Sequence, residues 1–146
     1  MNDEARPPVT RMAIALLSLV GLLVSSYLAL YKLGMLGQIQ CTVGGCETVQ
    51  MSEYAYFLGA PVAVWGVGAY LALLALSLAG VQPRWAAERW VAISLFGVAA
   101  VGAGFSAYLT YLEAYVIHAW CQWCVVSAIL VTLIFLLSIP GLRYVR

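Results

Sequence analysis

Apolar and polar positions in this chain come in long blocks rather than in a short alternation. From Met12 to Leu33 almost every residue is apolar, and as a helix this stretch of about 22 residues is roughly 33 Å long, enough to cross the hydrocarbon core of a bilayer. Similar blocks run over Ala60–Val81, Trp90–Tyr111 and Val125–Ile139. The pattern predicts an all-α integral membrane protein: a single domain over 1–146, folded as a four-helix bundle with spans near 12–33, 60–81, 90–111 and 125–139. Its long first loop, 34–59, is expected to carry a short helix over Glu47–Leu58 on the membrane surface, with Tyr54, Tyr56 and Phe57 at headgroup level.

The punctuation between blocks agrees. Gly44-Gly45 gives a flexible turn inside the first loop. Pro61 suits the first turn of the second helix, Pro83 sits in the short turn Gln82–Arg89, and Pro140-Gly141 closes the fourth block. The third helix is expected to continue past its apolar block towards His118. Its small residues Gly97, Ala100, Gly102, Gly104 and Ser106 read as close helix packing. A secretory signal peptide competes for the first block, but the block is long for one and lacks a small-x-small cleavage site before polar sequence.

Composition narrows the picture. With 64% hydrophobic and 9% charged residues, the chain is not a soluble domain. A net charge of +1 leaves no basic face for nucleic acid. Arg6 and Arg11 precede the first span, Arg84 and Arg89 lie in the second turn, and Arg143 and Arg146 follow the fourth. The positive-inside rule then places both termini in the cytoplasm. All four cysteines fall on the opposite, disulfide-permissive side: Cys41 and Cys46 in the first loop, Cys121 and Cys124 in the other.

The chemistry lies in those cysteines. Cys121-Gln-Trp-Cys124 stands directly before the fourth block, so its sulfurs are expected at a helix N-terminus, where free N–H groups and the macrodipole favour a thiolate. Two pairs on one face can form a relay, since a thiolate attacks a disulfide through a mixed-disulfide intermediate. Spacing alone equally allows two static disulfides, one per loop. A four-cysteine zinc site fits poorly with an oxidising face. Haem attachment needs a histidine after the second cysteine, where Val125 stands.

Cys41, Cys46-Glu-Thr-Val-Gln-Met-Ser52, Leu58-Gly-Ala-Pro-Val-Ala-Val-Trp-Gly66 and Cys121-Gln-Trp-Cys124 resemble the vitamin K epoxide reductase (VKOR) family, most closely its bacterial, DsbB-like members. DsbB itself carries its Cys-x-x-Cys pair in the first outer loop, whereas this chain has it after the second. The resemblance implies a quinone-linked disulfide oxidoreductase of the bacterial inner membrane, with quinone as electron acceptor. Cys121 and Cys124 match the active-site pair, and Cys41 and Cys46 the shuttle pair that meets a thioredoxin-like (DsbA-type) periplasmic protein. Because the chain stops at Arg146, that partner is expected to be separate. Driving disulfide formation in exported proteins is the implied role. The alternatives are a vitamin K epoxide or quinone reductase of an endoplasmic reticulum membrane, and a non-catalytic membrane protein with two structural disulfides. Ala128, where animal members place a tyrosine, and the absence of a lysine-rich tail weigh against the former.

The resemblance also gives Ser52 a hydroxyl role at the quinone. Trp65, Tyr111 and Trp123 are further candidates for contact with it, although Tyr108, Tyr111 and Tyr115, like Trp65, Trp120 and Trp123, read equally as an aromatic belt. His118 reads as an interfacial histidine and Glu113 as a side chain snorkelling to the rim, with proton transfer as the other reading for both.

Overall fold

The computed structural model describes residues 9–35, 48, 51, 53, 56–82, 84–85 and 88–144, the side chains as far as residue 140. It is built on helices α1 (Val9–Lys32), α2 (Val62–Val81), α3 (Arg89–Leu112) and α4 (Gln122–Tyr144). Each of these four is long and apolar enough to cross a membrane. α1 lies against α2 and α4, and α3 closes the bundle on the other side against the same two helices.

A mid-bundle core joins Ile14 of α1, Tyr70 and Leu73 of α2, Leu95 and Ala99 of α3, and Val131 and Ile134 of α4. Outside it, leucines and isoleucines such as Leu16, Leu23, Leu71, Ile93, Ile129 and Leu136 face outward and exposed. Large apolar side chains on the outside of a packed bundle suit a surface solvated by lipid rather than water. The polar side chains within the spans obey the same logic. Ser77, Thr110, Thr132 and Ser138 each donate their hydroxyl to a carbonyl three or four residues back, which satisfies those donors in an apolar medium. The buried Ser18 hydroxyl of α1 is the exception, with no partner among the described residues.

The helix ends differ from the expected spans by a few residues. α4 begins at Gln122, not Val125, because Cys121 caps it, and it runs on through Pro140 to Tyr144. Proline removes one backbone donor near the helix end, which the remaining ladder tolerates. α3 continues as expected beyond Leu112, but through a wider π turn, Glu113–Ile117, that stops at His118 in the left-handed conformation (φ 59°).

The first loop departs more from expectation. Thr48 and Met51 are helical, yet the surface helix does not reach Leu58. Tyr56–Phe57 (β1) is extended and pairs antiparallel with Ala60–Pro61 (β2), Tyr56 opposite Pro61 and Phe57 opposite Ala60. Leu58 and Gly59 both have positive φ, 53° and 83°, which makes the connection a two-residue turn of the I′ kind. This hairpin leads directly into α2. Lys32, at the end of α1, places its ammonium 4.5 Å from the Tyr56 ring centroid, so hairpin and α1 meet at the same end of the bundle.

Candidate active site

The Cys-x-x-Cys pair occupies the start of α4. Cys121 is the N-cap: its carbonyl accepts the Val125 N–H at 3.0 Å, and its Sγ accepts the Cys124 N–H at 3.4 Å. A serine or threonine oxygen commonly fills this capping position, and here sulfur does so. A first-turn N–H thus points at the sulfur, the geometry by which a helix terminus stabilises negative charge. Cys121 is fully buried beside Val24 and Leu28 of α1, whereas Cys124 is half-buried.

Cys124 opens onto a cavity of about 550 Å³ lined by all four helices and the hairpin. Most of its wall is apolar or aromatic: Leu28, Phe57, Val62, Trp65, Leu73, Val98, Val101, Phe105, Leu109, Ala128 and Val131. Polar groups are few and spaced along it, namely Ser25, Tyr70, Ser106, Thr110, Glu113 and Ser127. An apolar chamber with a few convergent polar groups is the usual form of a small-molecule site. Val101 lines the cavity and is 74% exposed, so the chamber opens sideways through the lipid-facing surface of α3.

The hairpin forms the wall next to α2. Trp65 donates its indole N–H to the Phe57 carbonyl at 2.9 Å. The Phe57 ring stands edge-on to both Trp65 (5.9 Å) and Phe105 (5.2 Å), bridging α2 and α3. Deeper in, the Tyr70 hydroxyl meets the carbonyl and hydroxyl oxygens of Ser127 at 2.8 and 2.9 Å, tying α2 to α4 across the chamber.

Of the residues singled out in the sequence, the structure brings Trp65, Cys124 and Ala128 to the cavity wall. Trp123 packs instead edge-on to Tyr27, centroids 5.3 Å apart, beside Cys121. Tyr111 is exposed and stacks on Tyr115 at 5.2 Å, away from the residues that line the cavity. Cys41, Cys46 and Ser52 lie outside the described residues. Gly97, Gly102 and Ser106, read as helix packing, form part of the wall, where their small side chains leave room for the chamber.

Glu113 overturns the snorkelling expectation. It is 4% exposed, and its Oε2 accepts the backbone N–H of Cys121 at 3.2 Å. Its own carbonyl accepts the N–H groups of His118 and Ala119, so one residue braces the whole link between α3 and α4. A single acid in an apolar block carries no periodic signal for its direction; only the position eight residues before Cys121 hints at it.

A membrane-spanning helical bundle with a dithiol motif at the mouth of an apolar chamber is a limited class of protein. The comparisons with known proteins agree: residues 12–139 match the model of the vitamin K epoxide reductase family, and the chain belongs to that family. It is also similar to the thiol-disulfide oxidoreductase LTO1 of Arabidopsis thaliana, 33% identical over 109 residues. That match covers 70% of this chain but only 29% of the relative's length.

Proposed function

We propose that the protein is a membrane thiol:quinone oxidoreductase, which takes electrons from a thioredoxin-like dithiol and passes them to a quinone in the chamber beside Cys124. The observation that carries this reading is the placement of Cys124 on the wall of an apolar, aromatic cavity that opens to the lipid-facing side. Flat apolar rings fit such walls, and Trp65, Phe57 and Phe105 are the residues placed to hold one. A bound quinone supplies a sink for an electron pair and two protons.

The chain's own steps are thiol–disulfide exchanges. A partner thiolate attacks Cys41 of a Cys41–Cys46 disulfide, and Cys46 leaves. The partner's second thiol then releases Cys41. Cys46 attacks Cys121 of a Cys121–Cys124 disulfide, and Cys124 leaves as a thiolate at the cavity wall. Cys41 resolves the Cys46–Cys121 bond, so the electron pair ends on Cys121 and Cys124. Re-forming their disulfide gives up that pair and two protons to the acceptor, and the cycle balances. On this reading the cysteine end of the bundle faces the extracytoplasmic side, the arginine-bearing end faces the cytoplasm, and the work done is disulfide formation in exported proteins.

The test is quinone reduction by the purified protein, driven by a reduced thioredoxin-like protein, beside Cys41→Ala and Cys124→Ala. Cys124→Ala should be inactive, and Cys41→Ala should lose the protein-driven reaction while a small dithiol still supports turnover. Wild-type protein that never reduces quinone, or mutants that match it, would show the cysteines to be structural.

A further inference from the structure

Among the described residues, Glu113 is the one acidic side chain on the cavity wall. A carboxyl buried in an apolar bundle is costly to keep, and ionisable groups at such depth mark functional sites by default. This one sits where α3 widens into a π turn, a local form frequently found at functional sites. Among the described residues its side chain makes a single hydrogen bond, to the Cys121 N–H, although a carboxylate has about four acceptor sites. Glu113 and Cys124 line the same chamber.

We infer that Glu113 is the proton carrier of the dithiol. This rests on the quinone reading above and adds the group that handles its protons. As the Cys121–Cys124 disulfide re-forms, two S–H bonds break and one S–S bond forms. The electron pair and two protons go to the quinone, giving quinol: the Cys124 proton passes through the Glu113 carboxyl, and the Cys121 proton reaches it by exchange with bulk solvent. Glu113 gains and loses one proton per cycle and ends unchanged. The same residue holds the Cys121 backbone, so carrier and dithiol keep a fixed relation. Other titratable groups stand around it: Tyr70 on α2, bonded to Ser127; Tyr27, Tyr31 and Lys32 at the near end of α1; and Tyr111, Tyr115 and exposed His118 on its own element.

The experiment uses the full chain with E113Q, which keeps the acceptor oxygen and the volume, and E113A, which removes both. In reduced, quinone-free protein, alkylation of Cys124 is followed peptide by peptide against pH. A carboxyl and a thiol that share protons titrate as a coupled pair, so the wild type should show one more step than E113Q, the step due to the neighbouring Cys121 thiol being common to both. Single-turnover quinol formation should slow by at least about 10²-fold in E113Q, with an unchanged melting temperature. E113Q that matches the wild type in both readouts overturns the proposal, including the case in which only E113A fails and Glu113 is a brace alone. A wild type that forms no quinol overturns the quinone reading instead, and the alkylation profile still decides whether Glu113 shares protons with Cys124.

Discussion

Gly21 of α1 lies flat against the ring of Tyr70 of α2, so close that a Cβ at position 21 would overlap the ring. Tyr70 is 3% exposed and spans the bundle from this contact to Ser127. Gly21→Ala therefore displaces the ring, and with it the hydroxyl, from its place at Ser127. Overpacking of this kind costs about 1–3 kcal/mol. The expected result is a lower melting temperature in detergent, with Tyr70→Phe losing less, about 1 kcal/mol, because it gives up only the hydroxyl.

At the opposite end of the bundle, Arg11 is buried and donates to the Gly80 carbonyl at 3.3 Å. A Cβ on Gly80 would strike the guanidinium. Gly80→Ala should cost about 1–3 kcal/mol by the same overpacking argument. Gly104 is the control: nothing lies within 4 Å of its added Cβ. Gly104→Ala is expected to be neutral or to stabilise by about 0.5–1 kcal/mol through lost chain entropy. Parallel thermal melts of the two variants check the pair.

Trp65 holds the hairpin through one indole N–H. Trp65→Phe keeps a ring but removes the donor to Phe57, worth about 1 kcal/mol. Amide hydrogen exchange across 56–61 should become several-fold faster, with exchange in α1 and α4 unchanged. Equal exchange in both proteins would mean that the ring contacts alone hold the hairpin.

His118 ends the π turn at positive φ and is exposed. Glycine tolerates that backbone and a β-branched residue does not. His118→Gly should leave stability and dithiol-driven turnover unchanged, whereas His118→Val should lose about 1–2 kcal/mol. A loss of turnover in His118→Gly at unchanged stability would give the imidazole a chemical role.

Cys121→Ser separates capping from chemistry. The serine oxygen can accept the Cys124 N–H as the sulfur does, so the melting temperature should hold while thiol–disulfide exchange is lost. A destabilised Cys121→Ser would instead point to the fully buried sulfur's packing against Val24 and Leu28.

The bundle was legible because each span is a block of apolar residues bounded by charge or proline, and length alone separates such blocks from buried strands. Cys121 at a helix start was legible for the same reason, since the block begins immediately after the motif. The hairpin was not. Leu58-Gly59 lacks the Asn-Gly or Asp-Gly signal of its turn type, and the neighbouring Phe57 is held by Trp65 of α2 and Phe105 of α3, contacts remote in sequence or set by the fold. Nor could the sequence show that Trp65 lines the chamber while Tyr111 does not: both are rim aromatics, and helix rotation decides between them. Glu113 points inward for a reason equally invisible in one dimension: it accepts the backbone N–H of Cys121, a residue of another helix's start.

The capped start of α4 has a thermodynamic corollary. On the proposed relay, Cys121 Sγ is at once a reacting atom and the acceptor that finishes a helix, so the two equilibria are linked and each must answer to the other. Any oxidation state that weakens the sulfur as an acceptor frays the first turn, and whatever the turn resists is added to the midpoint potential of the couple. On the two-electron scale about 1.4 kcal/mol corresponds to about 30 mV. The midpoint potential of the Cys121–Cys124 couple is therefore set in part by the backbone that follows it, and lengthening or breaking α4 far from either sulfur would retune it.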